Sequence, residues 1–102
     1  MPRPMKWRNV CSLPEYNEFG PLGLRSRSRE TVEMTVDEYE TIRLMDLEGL
    51  TQEECAKQMN IARTSVTATY AEARHKAAMA IVEGKRLVIE GGNYRICEGN
   101  YP

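Results

Sequence analysis

The sequence predicts a mainly α-helical fold with a small amount of β-structure, and three observations lead to this prediction. Two segments open with a Thr-x-x-Glu pattern, which is typical of the first turn of a helix. A third, longer segment repeats apolar residues at helical spacing, and both ends of the chain alternate apolar and polar residues as strands do. A chain of 102 residues has the length of one domain with a thin core.

Residues 1–34 are expected to form a basic, extended arm. The first 29 residues contain four of the five prolines, whose fixed backbone angle favours extended structure over helix. A short strand is predicted at Trp7–Leu13. A second strand is predicted at Glu30–Met34, where β-branched and polar residues alternate.

A core of three helices is expected within residues 35–84. Thr35 and Glu38 can form a capping box, and Gly49 is suited to end this first helix in the left-handed conformation. Thr51 and Glu54 repeat the box at the start of a short second helix. The predicted inward positions are Val36, Tyr39, Ile42 and Met45 in the first helix and Cys55, Ala56 and Met59 in the second.

The third helix is predicted to begin near Arg63 and to end at Val82 or Glu83, before Gly84. Such a helix would be roughly 30 Å long. Asn60 precedes it where the chain must reverse, and asparagine tolerates left-handed backbone better than any residue except glycine. The predicted apolar stripe consists of Val66, Thr69 or Tyr70, Ala73, Ala77, and Ala80 or Ile81.

Residues 85–102 are expected to form a C-terminal β-hairpin and tail. The stretch 85–97 alternates apolar and polar residues on both sides of a Gly-Gly-Asn sequence at 91–93, which favours a tight turn. An isolated hairpin is marginal in water. We therefore expect it to pack on the strand at Glu30–Met34, on the N-terminal arm or on a second subunit.

Two helices joined as tightly as the second and third are typical of a DNA-reading helix-turn-helix. With Gln52 counted as the first position of the motif, the positions that pack inward are apolar. The small Ala56 lies where the two helices approach closely, and Asn60 occupies the turn position. A generic helical hairpin inside a small bundle is the competing interpretation. It does not explain why the outward face of the third helix lacks acidic residues before Glu72, since acids are favoured at helix N-termini.

Arg63 is the best candidate for reading a base, since arginine pairs bidentately with guanine. Thr64 and Thr67 can contact a base edge or a phosphate, and Ala68 can contact a thymine methyl group. The predicted DNA-contact set is Arg63, Thr64, Ser65, Thr67 and Ala68 on the third helix, Lys57, Arg74 and Lys76 as phosphate contacts, and Arg3, Lys6 and Arg8 on the arm. For each cation, an ordinary solvated surface charge is the competing interpretation.

Ala62 stands where serine or threonine normally caps a helix, and alanine there costs on the order of 1 kcal/mol. One hypothesis is that a DNA phosphate accepts hydrogen bonds from the uncapped N–H groups. The simpler interpretation is that Thr64 or Ser65 caps a slightly later helix start.

Charge and cysteine patterns narrow the functional classes. The net charge is −1, but residues 1–29 and 55–86 each carry six basic and two acidic side chains, while residues 30–54 carry nine acidic and one basic. This segregation suits two basic segments facing an anion. With three cysteines, no CxxC pair and one histidine, we expect free thiols in a reducing cytoplasm and no metal or cofactor. No membrane span and no catalytic constellation is predicted.

The motifs "MPRP", "LTQEECAKQM" before a long helix, and "EGKRLVIEGGNY" together resemble a small prokaryotic family, catalogued as domain of unknown function 134 and described as predicted DNA-binding. The resemblance spans residues 1–94 and implies a DNA-binding protein whose helix-turn-helix is similar to region four of sigma factors. The chain departs from the family pattern at Ala62, where serine is usual, and at Ala68, where arginine is usual. Its DNA contacts are therefore expected to differ.

Two functions are compatible with these observations. The first is a sequence-specific double-stranded DNA-binding regulator acting as a homodimer, with the surplus length of the third helix and the hairpin as the dimer contact. The alternative is a protein-interaction module that docks on RNA polymerase or another regulator through the acidic segment 30–54.

Overall fold

A computed structural model describes residues 7–23 and 30–97 and shows a mainly α fold with short strands. Its three helices are α1 (Val36–Ile42), α2 (Gln52–Met59) and α3 (Arg63–Glu83), and α1 continues into a π-helical stretch at Arg43–Leu47, here called the π segment. Its five strands are β1 (Arg8–Val10), β2 (Glu18–Phe19), β3 (Thr31–Met34), β4 (Arg86–Ile89) and β5 (Tyr94–Ile96). Within the described ranges, no helix is long and apolar enough to span a membrane.

The predicted starts of α1 and α2 are confirmed by two complete capping boxes. At α1, the Thr35 N–H donates to Glu38 Oε1 at 2.9 Å, and the Glu38 N–H donates to Thr35 Oγ1 at 3.3 Å. At α2, the same reciprocal bonds join Thr51 and Glu54 at 2.9 and 3.1 Å. Each box satisfies two backbone groups that a helix start would otherwise leave exposed.

The inward face of α1 differs from its prediction. Val36 is buried as expected, but Tyr39, Ile42 and Met45 are only half-buried. The positions with almost no exposure are Glu40, Thr41 and Leu44. Glu40 tolerates burial because its carboxylate accepts from the Cys11 N–H and from Arg43 Nε, at 2.9 and 2.8 Å.

The predicted C-terminal hairpin was wrong, because β4 and β5 lie in different sheets. Strand β4 is the centre of a three-stranded sheet, parallel to β3 and antiparallel to β2, whereas β5 pairs with β1 in parallel. Two of the three packing partners expected for the hairpin are nevertheless present. Strand β4 pairs with β3, in the segment Glu30–Met34, and β5 pairs with β1, in the N-terminal arm.

The connection between β4 and β5 packs on the start of α1, which explains why no hairpin forms. The Gly91 carbonyl accepts from the Val36 N–H at 2.9 Å. A Cβ atom on Gly92 would lie 2.4 Å from Asp37 Oδ1 and 2.7 Å from the Thr35 side chain. Only glycine fits this contact. The positive φ of 100° at this position is a second reason for glycine, because residues with a Cβ atom rarely adopt it.

Two apolar clusters form the core. The larger joins the sheets to α1 and α3 and contains Val10, Val32, Met34, Val36, Ala73, Leu87 and Ile89. The smaller joins α2 to the π segment and α3 and contains Leu44, Cys55, Ala56, Met59 and Val66. Burying a side chain such as Leu44 or Met59 stabilises the fold by about 1.5–3 kcal/mol. Because the larger cluster draws on all three predicted ranges, 1–34, 35–84 and 85–102, these ranges share one core.

Candidate nucleic-acid interface

The connection between α2 and α3 is a three-residue turn that begins with left-handed backbone. Asn60 has φ 57° and ψ 47°, as its position in the sequence predicted. The Ile61 N–H then donates to the Ala56 carbonyl at 3.0 Å, which closes the end of α2. This turn directs α3 away from α2 while Met59 and Val66 remain packed together in the smaller cluster.

The N-terminus of α3 has no side-chain cap. Ala62 is the N-cap residue, with extended backbone (φ −67°, ψ 150°), and no side chain accepts a hydrogen bond there. The alternative of a later start capped by Thr64 or Ser65 was wrong, because the Ser65 and Val66 N–H groups both donate to the Ala62 carbonyl. The first turn contains no acidic residue either, so no side chain of that turn complements the positive end of the helix dipole.

Four of the predicted contact residues share the exposed face at this end of α3: Arg63, Thr64, Thr67 and Ala68. Ser65 is half-buried between this face and the core. Lys57, on α2, is exposed as well. The surface therefore combines one guanidinium, one ammonium, two hydroxyls and a small apolar side chain.

Gln52 joins this face although it was not among the predicted contacts. Its Oε1 accepts from Thr67 Oγ1 at 3.1 Å and from Arg63 Nε at 3.4 Å. The Thr67 hydroxyl also lies 3.1 Å from the Arg63 carbonyl. The first turn of α2 thereby orients the leading side chains of α3. The sequence could have indicated this role, because Gln52 directly follows the Thr51 cap and lies across the turn from Arg63.

Arg74 is exposed but lies within a small polar cluster. Tyr70 donates a hydrogen bond to Asp46 Oδ1 at 2.6 Å, and Arg74 Nε lies 3.9 Å from Asp46 Oδ2. The Arg74 guanidinium also stacks 5.4 Å from the centre of the Tyr70 ring. The hydrogen bond to Asp46 raises the pKa of Tyr70. Arg74 therefore remains available at the edge of the α3 face, with its direction set by this cluster.

Two of the predicted DNA contacts, Lys76 and Arg8, are half-buried and paired with carboxylates of the same chain. Lys76 Nζ is 2.7 Å from Glu38 Oε1, in an ion pair that joins α3 to α1. Arg8 donates to Asp37 Oδ2 at 2.8 Å and to Thr69 Oγ1 at 2.6 Å, which joins β1 to both helices. Their cationic groups are therefore already neutralised by carboxylates of the same chain.

These pairs also explain part of the charge segregation in the sequence. Asp37, Glu38 and Glu40 are all buried, although they belong to the acidic segment 30–54. Asp37 pairs with Arg8 of the first basic segment, and Glu38 pairs with Lys76 of the second. Glu40 accepts a hydrogen bond from Arg43, and this bond raises the pKa of Arg43. The pairs of Arg8 with Asp37 and of Lys76 with Glu38 therefore join the acidic segment to each basic segment within the molecule.

The remaining candidates have simpler placements. Arg3 and Lys6 lie outside the described residues. Cys55 is fully buried as predicted, and burial raises the pKa of its thiol to about 11, which keeps it protonated at neutral pH. Within residues 7–23 and 30–97, no group of three His, Cys, Asp or Glu side chains is arranged to hold a metal ion.

Fold and site together define a small, mainly α protein that presents the open end of its longest helix beside a shorter one. The chain belongs to the family described as "Protein of unknown function DUF134", whose model matches residues 1–97. It is 67% identical over 99 residues to UPF0251 protein DSY3441 of Desulfitobacterium hafniense, an alignment that covers 97% of this chain and 79% of that protein.

More distant relatives align over nearly the same range. UPF0251 protein TTE1845 of Caldanaerobacter subterraneus is 49% identical over 96 residues, covering 94% of this chain and 81% of that protein. UPF0251 protein CT1277 of Chlorobaculum tepidum is 46% identical over 98 residues, covering 96% of this chain and 50% of the relative. No solved structure gives a significant match.

Proposed function

We propose that the protein binds double-stranded DNA sequence-specifically, with α2, the turn at 60–62 and α3 acting as a helix-turn-helix of the sigma region-four type. The observation that supports this most is the uncapped start of α3. Both other helices supply their own hydrogen-bond acceptors and acids, whereas α3 leaves its first N–H groups beside an exposed arginine. A phosphate oxygen is the acceptor that such a helix end favours.

The dimensions of α3 suit this role. An α-helix with its side chains is about 10–12 Å wide, and the major groove of B-DNA is about 12 Å wide. Ala68 is small where the helix would lie deepest, and the exposed Thr64 and Thr67 flank it. The proposed major-groove surface is therefore narrow enough for the helix backbone to approach the base edges.

Within this proposal, Arg63 reads a guanine and Gln52 holds its guanidinium in position. Thr64 and Thr67 contact base edges or phosphates, and Lys57 contacts a phosphate from the supporting helix. The hydrogen bond from Arg63 to Gln52 already restricts the Arg63 side chain in the free protein. Arg63 therefore loses less conformational entropy on binding, which favours a specific contact.

The alternative proposal, docking on RNA polymerase or another regulator through residues 30–54, is weaker. Three of the nine acidic side chains in that segment, Asp37, Glu38 and Glu40, are buried and cannot take part in docking, and the other six are exposed. A docking surface requires accessible charges. We accordingly propose a cytoplasmic transcription regulator that contacts DNA directly.

Selection of bound duplexes from a random pool tests the proposal. The wild-type protein should enrich one motif, and Arg63→Ala should weaken binding to it about 5- to 100-fold while losing preference at one guanine. Arg95→Ala is the matched control, because Arg95 is an exposed arginine on β5, outside the proposed interface. Absence of an enriched motif, or equal losses in both variants, would contradict sequence-specific reading through α3.

A further inference from the structure

Four polar side chains form one stripe along the flank of α3 that contacts α2 and the π segment: Arg63, Thr67, Tyr70 and Arg74. Their spacings of four, three and four residues place them on one side of an α-helix. The first two contact Gln52 on α2, and the last two contact Asp46 in the π segment. The stripe therefore runs from the proposed base-reading residue to a second group of polar contacts.

Asp46 brings a carboxylate to a stretch of α3 that has no acidic residue of its own before Glu72. Its Oδ1 accepts a hydrogen bond from the Tyr70 hydroxyl at 2.6 Å, and its Oδ2 lies 3.9 Å from Arg74 Nε. A hydroxyl and a guanidinium are also the donors that bind the oxygens of a phosphate. Asp46 therefore occupies a position on α3 that an external phosphate could take.

The π segment departs from α-helical geometry at the residue that makes this contact. The Glu48 N–H donates to the Arg43 carbonyl, five residues back, at 2.9 Å, whereas an α-helical amide donates to the carbonyl four residues back. Such turns are rare and are frequent at functional sites. Asp46 lies within this turn, so the unusual backbone coincides with the carboxylate that meets α3.

In the proposed complex with DNA, on which this inference rests, α3 contacts base edges through its first turns. Arg74 lies 11 residues beyond Arg63, or about 16 Å along the helix. The major groove is about 12 Å wide, so a side chain at that distance from the base-reading residue meets the phosphates that border the groove. The Arg74 side chain is 64% exposed and is free to reach them.

We propose that Asp46 competes with a DNA phosphate for Arg74 and Tyr70, and that it thereby limits the sequence-independent part of the DNA affinity. An exposed ion pair at 3.9 Å is weak, so a phosphate can displace the carboxylate from Arg74. The displaced carboxylate then lies beside the phosphate and repels it. Phosphate contacts strengthen binding to every sequence alike, so their limitation leaves a larger share of the binding to base contacts such as that of Arg63.

The salt dependence of duplex binding by Asp46→Asn tests this competition. Asparagine has nearly the same shape and can still accept the Tyr70 hydrogen bond, but it carries no charge. Its affinity at low salt should rise about 3- to 10-fold, for the selected duplex and for a scrambled one alike. The slope of log affinity against log salt should become steeper by up to about 0.9, the value of one phosphate contact. Asp46→Glu keeps the charge and should stay within about twofold of wild type.

Two further variants show whether the gain acts through Arg74. In an Arg74→Ala background, Asp46→Asn should change the affinity by less than about twofold, because the cation for which the carboxylate competes is gone. Glu33→Gln is the matched control for the loss of one negative charge. Glu33 is exposed on β3, outside the proposed interface, and its substitution should change the affinity by less than about twofold.

Thermal unfolding of each variant shows whether it folds, and Asp46→Ser replaces Asp46→Asn if the latter unfolds early. Equal or weaker DNA binding by the uncharged variant would overturn the competition and leave the proposed function standing. A gain that persists undiminished in the Arg74→Ala background would do the same. A wild-type protein that binds neither duplex would overturn the proposed function, and the competition with it.

Discussion

The N-termini of α2 and α3 lie on either side of one short turn and have opposite chemistry. At α2, Thr51 and Glu54 occupy the first free backbone groups, and two acids stand in the first turn. At α3, Ala62 offers no acceptor and the first turn contains no acid. The comparison shows that two adjacent helix starts in one small fold can differ in how they are stabilised, one being capped by its own side chains and the other having no side-chain cap.

The open start must be stabilised by other contacts. An alanine at the N-cap costs about 1 kcal/mol relative to serine or threonine. Helix α3 compensates through its length and through Val66, Thr69 and Ala73, which are buried along one side. Tertiary packing, rather than capping, therefore holds its first turns in place.

Val66→Ala should produce the largest change in stability, about 2–3 kcal/mol, because Val66 is fully buried where α3 meets α2. Urea unfolding measures the loss. Val82→Ala, on the exposed side of the same helix, is the control and should change stability by less than about 0.5 kcal/mol. If Val66→Ala costs no more than removal of a cap, packing does not hold the start of α3.

Ala62→Asp should remove the difference between the two helix starts. The new carboxylate should cap α3 and stabilise the protein by about 1 kcal/mol, while its charge repels a phosphate and lowers DNA affinity at least tenfold. Fluorescence anisotropy with the selected duplex measures the second effect. Ala62→Ser supplies a cap without the charge. Unchanged affinity in Ala62→Asp would exclude a phosphate at this helix end.

Thr51→Ala opens the closed start of α2 and should cost about 1 kcal/mol, since the Glu54 N–H then loses its side-chain acceptor. DNA affinity per folded molecule should change less than threefold, because Thr51 itself is not among the proposed DNA contacts. A loss of affinity as large as that of Arg63→Ala would mean that the two helix starts do not have separate roles.

The smallest effect is a pH dependence confined to α2. The hydrogen bond from the Thr51 N–H lowers the pKa of Glu54 below its ordinary value of 4.5. Glu54 therefore contributes stability that is complete above pH 4.5 and is lost as the pH falls through the folded-state pKa. The stability difference between wild type and Glu54→Gln, measured by urea unfolding, should shrink from pH 6 to pH 3. A difference that grows toward pH 3 would have the wrong sign.

The predictable parts of the fold are those set by neighbours in the chain. The capping boxes at Thr35 and Thr51, the left-handed turn at Asn60 and the end of α3 at Gly84 all depend on a few consecutive residues. At these positions the local pattern and the surrounding packing favour the same backbone, so the sequence alone was sufficient.

The parts that could not be predicted depend on residues distant in the chain. The Gly-Gly-Asn stretch resembles a hairpin turn, but Gly92 is required by its contact with Asp37 on α1. Lys76 resembles a surface cation in a helical pattern, but its partner Glu38 lies on another helix. Nothing near either residue in the sequence indicates these partners, and periodicity cannot distinguish a paired charge from a solvated one.

The parallel pairing of β1 with β5 has a consequence for how the chain folds. Arg8 aligns with Tyr94 and Val10 with Ile96, so two segments that lie 86 residues apart in the chain pair with each other. Val10, which is fully buried in the folded protein, cannot pair with Ile96 until the chain has been synthesised beyond that residue. Contacts between such distant positions slow folding. We therefore expect the helices to assemble first and the β1–β5 sheet to close last.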